Sequence, residues 1–526
     1  MSLSREVYRV MEDIVGPENV SEEPATLYSY ANPGWLIGIL SGGEVFGPLP
    51  EAVVLPGSTE EVQKLTKMCN RYKVQFHPTT TGWAPFSCAQ RGQILFDLRR
   101  MDRILEIDEK NMYVVVEPYI SSARLHTELA RRDLVCPHIA AGSGCSVLAA
   151  NAACIGMGFT ACSMGSGDRN LLGVEWVLPT GDIVRLGTAG AGLGWHCIDG
   201  PGPSLKGMMR GIVGSMGGLG TYTKAAIKIY HWLGEEAEEV AEGELPYHIL
   251  KMPPKFRNYV LTFPSYEEMF ECVRQLSEQE MMYAASRAPA FMVATAVSHS
   301  NNDIWALWED GAFQERFMRA YHVIIAGYSE REIEYRDKVL KEILARNNGV
   351  IPEEVEDPSL QSGLYSSACW SDQTNKYAFR PTGNFTSAYT NLESADMCSD
   401  ETQASTEYKR SFVDRGLFLD DGDNAWGNNY EQGTWLHVEH IAYYDPADRD
   451  STLGAGENFF AVSKDLRRHK FGAPFYDGVL PGPFQEMGAP LINNFSKWSG
   501  LIKQALDPNI IVDPAWYPPT EEFYED

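Results

Sequence analysis

The spacing of hydrophobic positions changes several times along the first 235 residues, and each change predicts an element. "EAVVLPGSTEEVQKLTKMCNRYKVQFHP" opens with the apolar run "AVVLP", a strand. Ser58 and Glu61 then stand at capping-box spacing, and Val62, Leu65 and Cys69 share one helical face. "VQFHP" predicts a second strand ending in a turn, so the order is strand, helix, strand. "ILFDL", "RILEID" and "MYVVVEP" predict three more strands, the last stopped by Pro118. Ser121 or Ser122 caps a helix with Leu125 and Leu129 turned inward. "LLGVEWVLPTGDIVRLGTAG" predicts a hairpin around Pro179-Thr180-Gly181-Asp182, and "TYTKAAIKIY" alternates as a strand.

From about residue 235 the pattern differs. The acidic stretches "LGEEAEEVAEGE" and "REIEYRDKVLKEILARN" predict helices and alternate with mixed segments such as "NYVLTFPSYEEMFECVRQL". That predicts a second α+β domain. "NNFSKWSGLIKQALDPNIIVDP" is helical again and leads into a Pro-rich acidic tail. No internal repeat is visible.

Composition narrows the function classes. The 526 residues suffice for two or three domains, and 44% hydrophobic with 22% charged residues is ordinary for a globular protein. A net charge of -27 argues against nucleic acid and anionic membrane surfaces as partners. No apolar run reaches the ~18 residues of a membrane helix. "MSLSREVYRVMEDIVG" has no apolar signal core, so a cytoplasmic location is expected. The ten Cys form no CxxC pair, so neither a zinc ribbon nor an iron–sulfur cluster is predicted, and most are expected to be buried thiols.

Four stretches are candidates for chemistry. "HPTTTGWAPF", His77 to Phe86, follows a strand and offers hydroxyls and backbone N–H groups for a phosphate. "SVLAANAACIGMGFTACSMGSGD", Ser146 to Asp168, carries no charge before its last residue. Small residues there allow either tight packing or close approach to a flat ligand. "GIVGSMGGLGTYTK" has the glycines of a dinucleotide loop but leads into a strand, which fits a Gly-rich packing turn instead. In "TWLHVEHIAYYDP", read as a strand, His437 and Glu439 share a face and His440 points away; the set is too small to predict a metal site. "DDGDNAWGNNYE" has Ala425 where a calcium loop needs Gly, and is rejected as one.

In this order the pieces resemble the FAD-binding oxidoreductases of the vanillyl-alcohol oxidase/4-cresol dehydrogenase (PCMH) type, which also include glycolate oxidase D-subunits and D-lactate dehydrogenases. "VVLPGSTEEVQKLTKMCNRYKVQFHP", "LFDLRRMDRILEIDEKNMYVVVEPYISSARLHTEL", the Ser146–Asp168 stretch with its hairpin, "MRGIVGSMGGLGTYTKAAIKI" and "LIKQALDPNIIVDP" carry the resemblance. It implies an α+β fold: a two-subdomain FAD-binding domain over 1–235, a cap over 236–465, and a segment 466–526 returning to the first domain. It places Thr79, Thr80, Thr81, Gly82 and Trp83 at the FAD pyrophosphate, Ser146, Gly156, Gly158 and Thr160 along the flavin, and Gly217 and Gly220 at its border. His77, His437 and Cys145 are candidate anchors for a covalent link.

The resemblance further implies a dehydrogenase that takes a hydride from an alcohol or benzylic C–H of a small organic substrate. Tyr476 would hydrogen-bond the substrate oxygen, and His437 or His440 would act as base, since imidazole titrates near neutrality. Asp477 would orient that His or favour a cation. Phenol-oxidising members carry Tyr-Arg where this chain has Tyr476-Asp477, and an acidic residue beside the ring that this chain lacks, which points away from a phenol. Electrons would pass to a protein acceptor, within a homo- or hetero-oligomer. Two alternatives stand: a D-2-hydroxy-acid dehydrogenase with Arg380 clamping the carboxylate, and a non-catalytic flavoprotein subunit of a redox complex.

Overall fold

The computed structural model describes residues 3–31, 46–82, 91–139, 142–153, 156–200, 204–209, 214–234, 252–298, 300–370, 380–419, 425–469, 473–474 and 495–513. Of the acidic stretch predicted to be helical, residues 233–244, all but the first two lie outside them.

The first sheet comprises β1 (Val20–Ser21), β2 (Ala52–Val54), β3 (Gln75–Thr79) and β4 (Gln93–Asp97) in the order β1-β2-β4-β3, with β2, β4 and β3 parallel. The crossover from β2 to β3 is the helix Thr59–Tyr72. The Ser58 side chain accepts the Glu61 N–H, Gly57 N–H donates to Glu61 Oε2 at 2.7 Å, and Val62, Leu65 and Cys69 are buried, as their spacing predicts. Phe76 and Phe96 stack at 4.2 Å in the core beneath it, with the amphipathic helix Arg5–Val15 packed beside them.

The second sheet is antiparallel: β5 (Ile104–Asp108), β6 (Tyr113–Val116), β8 (Leu171–Val177), β9 (Ile183–Arg185) and β10 (Thr221–Lys228), in the order β5-β6-β10-β8-β9. A two-stranded ribbon joins β7 (Leu134–Val135) to β11 (Tyr230–His231). Glu175 on β8 is wholly buried. It takes a hydrogen bond from Thr59 at 2.7 Å and ion pairs from Arg185 at 2.6 Å and Lys224 at 2.8 Å. Burial pushes its pKa up, but the bonds from Lys224, Thr59 and Arg185 outweigh that and hold it below the usual value.

The chain returns to the first sheet near its end. After the helix Phe495–Leu506, Ile511 O accepts the Phe76 N–H and Asp513 N–H donates to Phe76 O, both at 2.8 Å. Asp513 Oδ2 also accepts from His77 Nδ1 at 2.6 Å, both side chains being buried. Buried Lys503 ties this segment to the Gly-rich turn before β10, donating to Gly218 O at 2.5 Å and Asp507 Oδ2 at 2.9 Å.

Between these parts lie two antiparallel sheets. One is β12 (Phe256–Thr262), β13 (Met282–Arg287) and β14 (Ala320–Ala326), in the order β12-β14-β13. The other holds β15 (Thr386–Glu393), β16 (Ala425–Tyr430), β17 (Trp435–Ala442) and β18 (Ala473–Pro474), in the order β16-β17-β15-β18. Strand β13 packs against β16. One face of these sheets packs on the helices Tyr266–Glu278, Glu330–Arg346 and Ala395–Asp414. The other meets the first domain.

Candidate active site

Two loops of the first domain meet at a hydrogen bond. The Ser146 N–H donates to Thr81 Oγ1 at 3.0 Å, joining the loop after β3 to the start of the small-residue stretch. Ser146 also caps the helix Val147–Ala152: its Oγ accepts the Ala149 N–H at 3.0 Å and donates to Pro118 O at 2.5 Å. Gly82 has φ +73, and a Cβ built there meets nothing within 4 Å; the same holds at Gly144 in the facing turn. The cradle of space beside Gly82 and Gly144, with the Thr81 and Ser122 hydroxyls, can receive an anion; the first N–H groups of the helix Ser122–Ala130 are already taken by Cys145 O, Ser143 O and the Ser121 oxygens. The buried Ser122 Oγ lies beside this space with no hydrogen-bond partner among the described residues. This donor set fits a dinucleotide phosphate.

The other predicted cofactor residues have protein partners. Thr79 closes β3, its carbonyl accepting the Leu98 N–H. Thr80 follows it, half-buried, in the same loop. A Cβ on Gly156 would lie 2.5 Å from Ala150 O and 2.7 Å from Gly167 Cα, and one on Gly158 would strike His138 O. Those glycines are required by chain-on-chain packing, one of the two roles their small size allows. Thr160 Oγ1 accepts the His138 N–H at 2.9 Å. Gly217, at φ +83, packs on Pro78, and Gly220, at φ +119, packs on Val177 O and Trp176 Nε1. Trp83, Tyr476 and Asp477 lie outside the described residues.

Strands β13 and β16 pack on the Gly158–Thr160 segment. On β16, Asn428 Nδ2 donates to Gly158 O at 2.6 Å, and Ala285 N–H of β13 donates to Phe159 O at 2.8 Å. His138 Nδ1 accepts the Phe159 N–H at 3.3 Å while Nε2 donates to Ser367 O at 3.1 Å, which fixes the neutral tautomer. Burial, with the nearby His126, holds the His138 pKa down at about 3.

His437 lies on that same cap face. It stands directly opposite Asn428 in the β16–β17 register, with Trp426 opposite Glu439. The His437 ring is buried, 5.6 Å from that of Trp426, which in turn lies 6.1 Å from Phe159. Glu439 Oε2 is 3.7 Å from His437 Nε2. His440 points to the opposite face, as strand alternation requires, 3.7 Å from buried Glu401 and beside the helix that carries Lys409. Burial, then Lys409 and Arg287, hold its pKa well below the usual value. The structure therefore separates the two candidate bases. Arg380 Nη1 donates to Ser298 O at 2.6 Å, at the end of the helix Ala290–Val297.

His138, Asn428 and Tyr430 escaped the sequence reading. The period-two order Trp426, Asn428, Tyr430 was visible, inside a stretch weighed only as a cation loop.

Among the described residues no group of three or more His, Cys, Asp or Glu is placed to hold a metal ion, and no helix is long and apolar enough to cross a membrane. All the described cysteines are free, and all but Cys197 are buried.

Residues 50–187 match the family described as an FAD binding domain. The chain is 26% identical to glycolate oxidase subunit GlcD of Bacillus subtilis over 229 residues, 43% of this chain and 45% of that protein. It is 25% identical to the 4-cresol dehydrogenase [hydroxylating] flavoprotein subunit of Pseudomonas putida over 338 residues, 63% of this chain and 55% of that protein. It thus spans about half the length of the curated relatives it matches. Among solved structures, p-cresol methylhydroxylase with substrate bound superposes with a TM-score of 0.77 at 17% identity, over 98% of this chain and 96% of that one. The chain carries an FAD binding domain with FAD as its cofactor, on an α+β fold. That fold is the one of p-cresol methylhydroxylase-type flavoproteins.

Proposed function

We propose that the chain is an FAD-dependent dehydrogenase that takes a hydride from an alcohol or benzylic C–H of a small organic substrate. The observation that carries this reading is the cap face that touches the Gly158–Thr160 segment: it presents buried His437, with Glu439, in the strand beside Asn428. FAD, when bound, supplies the hydride-accepting chemistry. Thr79–Gly82, with Trp83 beyond them, and the Ser146 turn would hold its pyrophosphate, with Gly217 and Gly220 shaping the adjoining turn. His437 Nε2 would receive the substrate's hydroxyl proton, Glu439 would orient the imidazolium formed, and the cap sheet would exclude water. Tyr476 and Asp477 belong to this proposal as substrate contacts.

The FAD-binding unit is proposed to span 1–235 and 466–526, and the cap 236–465. Transfer of electrons to a protein acceptor is supported by the cresol relative being a flavoprotein subunit. The likeness to GlcD supports a second reading, oxidation of a D-2-hydroxy acid. The Glu439 carboxyl group beside His437 favours an uncharged substrate over a carboxylate.

One experiment separates the readings. The FAD-loaded protein is mixed anaerobically with benzylic and aliphatic alcohols, alkylphenols, glycolate and D-lactate, and flavin bleaching is followed. Bleaching by alcohols supports the proposal, and bleaching by hydroxy acids alone replaces it with the second. A bound flavin that no substrate reduces makes the chain a non-catalytic flavoprotein.

A further inference from the structure

We propose that Asn428 and Tyr430 position the Gly158–Thr160 segment against the cofactor and so couple FAD binding to docking of the cap. This rests on the reading of that segment as flavin-facing. Asn428 is 1% exposed and Tyr430 wholly buried. Tyr430 donates its hydroxyl to Asn428 Oδ1 at 2.6 Å, and Asn428 Nδ2 donates to Gly158 O at 2.6 Å. The amide has one acceptor end and one donor end. With the acceptor taken by the phenol, the donor must face Gly158, since a flipped amide would press oxygen against a carbonyl oxygen. The Tyr430 ring is itself held, stacked on Trp435 at 3.8 Å with planes 3° apart.

The far end of this relay is equally constrained. Gly158 lies against His138 too closely for any side chain; Ala285 N–H donates to Phe159 O, His138 N–H to Thr160 Oγ1, and Ser163 Oγ donates to Tyr283 O. Asn428 faces His437 across the strand pair, so the side chain that grips Gly158 and the proposed base share one rigid sheet. A shift of the flavin-facing backbone is then a shift relative to His437. Coupling of this kind is reciprocal: whatever factor a docked cap adds to FAD affinity, FAD adds to cap docking.

The test uses the full chain and two variants, Asn428→Asp and Tyr430→Phe. Asn428→Asp keeps the shape and turns the donor into an oxygen; Tyr430→Phe removes one oxygen and spares the fold if Asn428→Asp does not. FAD affinity is measured by fluorescence titration, the visible spectrum of the bound flavin is recorded, and melting is followed with and without FAD. The expected result is FAD binding weakened about tenfold in Asn428→Asp and several-fold in Tyr430→Phe, the scale of one buried hydrogen bond. The flavin bands should shift, and the melting gain from FAD should shrink. Variants with wild-type affinity and spectrum overturn the proposal, as does a loss of melting temperature equal with and without FAD. A wild-type chain that takes up no FAD instead sinks the reading beneath it.

Discussion

Gly156 and Gly167 pack so closely that a Cβ on either would come within 2.7 Å of the other's Cα. The contact folds the small-residue stretch back on itself, and Gly167 N–H seals it by donating to Gly156 O at 2.6 Å. Gly156→Ala is expected to cost about 1–3 kcal/mol, because neither backbone can yield. Gly144→Ala meets open space and should leave the melting of the FAD-free protein unchanged, while lowering FAD affinity if the cradle holds the pyrophosphate. Melting curves with and without FAD check both.

This pair shows what the sequence could and could not tell. Small residues between Ser146 and Asp168 are equally suited to packing and to ligand contact, since removing a Cβ serves both. Only the partner across the gap decides, and Gly156 finds another part of its own stretch. The strands and helices of the first domain were legible because Ser58, Val62, Leu65 and Cys69 obey local rules of capping and period. The strand at Trp435–Ala442 was legible too, and with it the opposite facing of His437 and His440. The hydrogen bond from Asn428 to Gly158 spans 270 positions, and no local pattern announces such a contact.

His126 and His138 predict a pH dependence. Burial pushes the His126 pKa down to about 4, and burial with the neighbouring His126 pushes His138 down to about 3, from 6.5. Between pH 6.5 and 4 the unfolded chain therefore binds more protons than the folded one, and stability falls as pH falls. Each group contributes a slope of up to about 1.4 kcal/mol per pH unit. Urea unfolding at pH 7 and pH 5 should show the loss, and His138→Asn should flatten it. An unchanged pH slope in that variant would remove His138 from the account.

Glu175 predicts a second, lower window. Its pKa is held down in the fold, so its contribution is present above the ordinary carboxylate value and is lost as pH falls through the folded one. Glu175→Gln leaves Lys224 and Arg185 without their anion. Arg185 is half exposed, so the cost is about 2–3 kcal/mol, below that of breaking a fully buried pair. Denaturant titration at pH 7 measures it. The loss should narrow at acid pH, where the wild-type carboxylate also becomes neutral.

His437 and His440 make the sharpest contrast, because three positions of one strand place them on opposite faces. His437→Asn should slow anaerobic flavin reduction by about 10²–10⁴-fold, the usual worth of a positioned base, with FAD still bound. The pH profile of the rate should change as well. His440→Asn, facing Glu401 and the helix of Lys409, should act on melting temperature and leave the pH profile of reduction in place. Stopped-flow reduction across pH 5–9 on both variants decides the matter. If the His440 variant loses the pH profile and the His437 variant keeps it, the proton acceptor is not on the face that meets Gly158, and the assignment of that face as the active one fails with it.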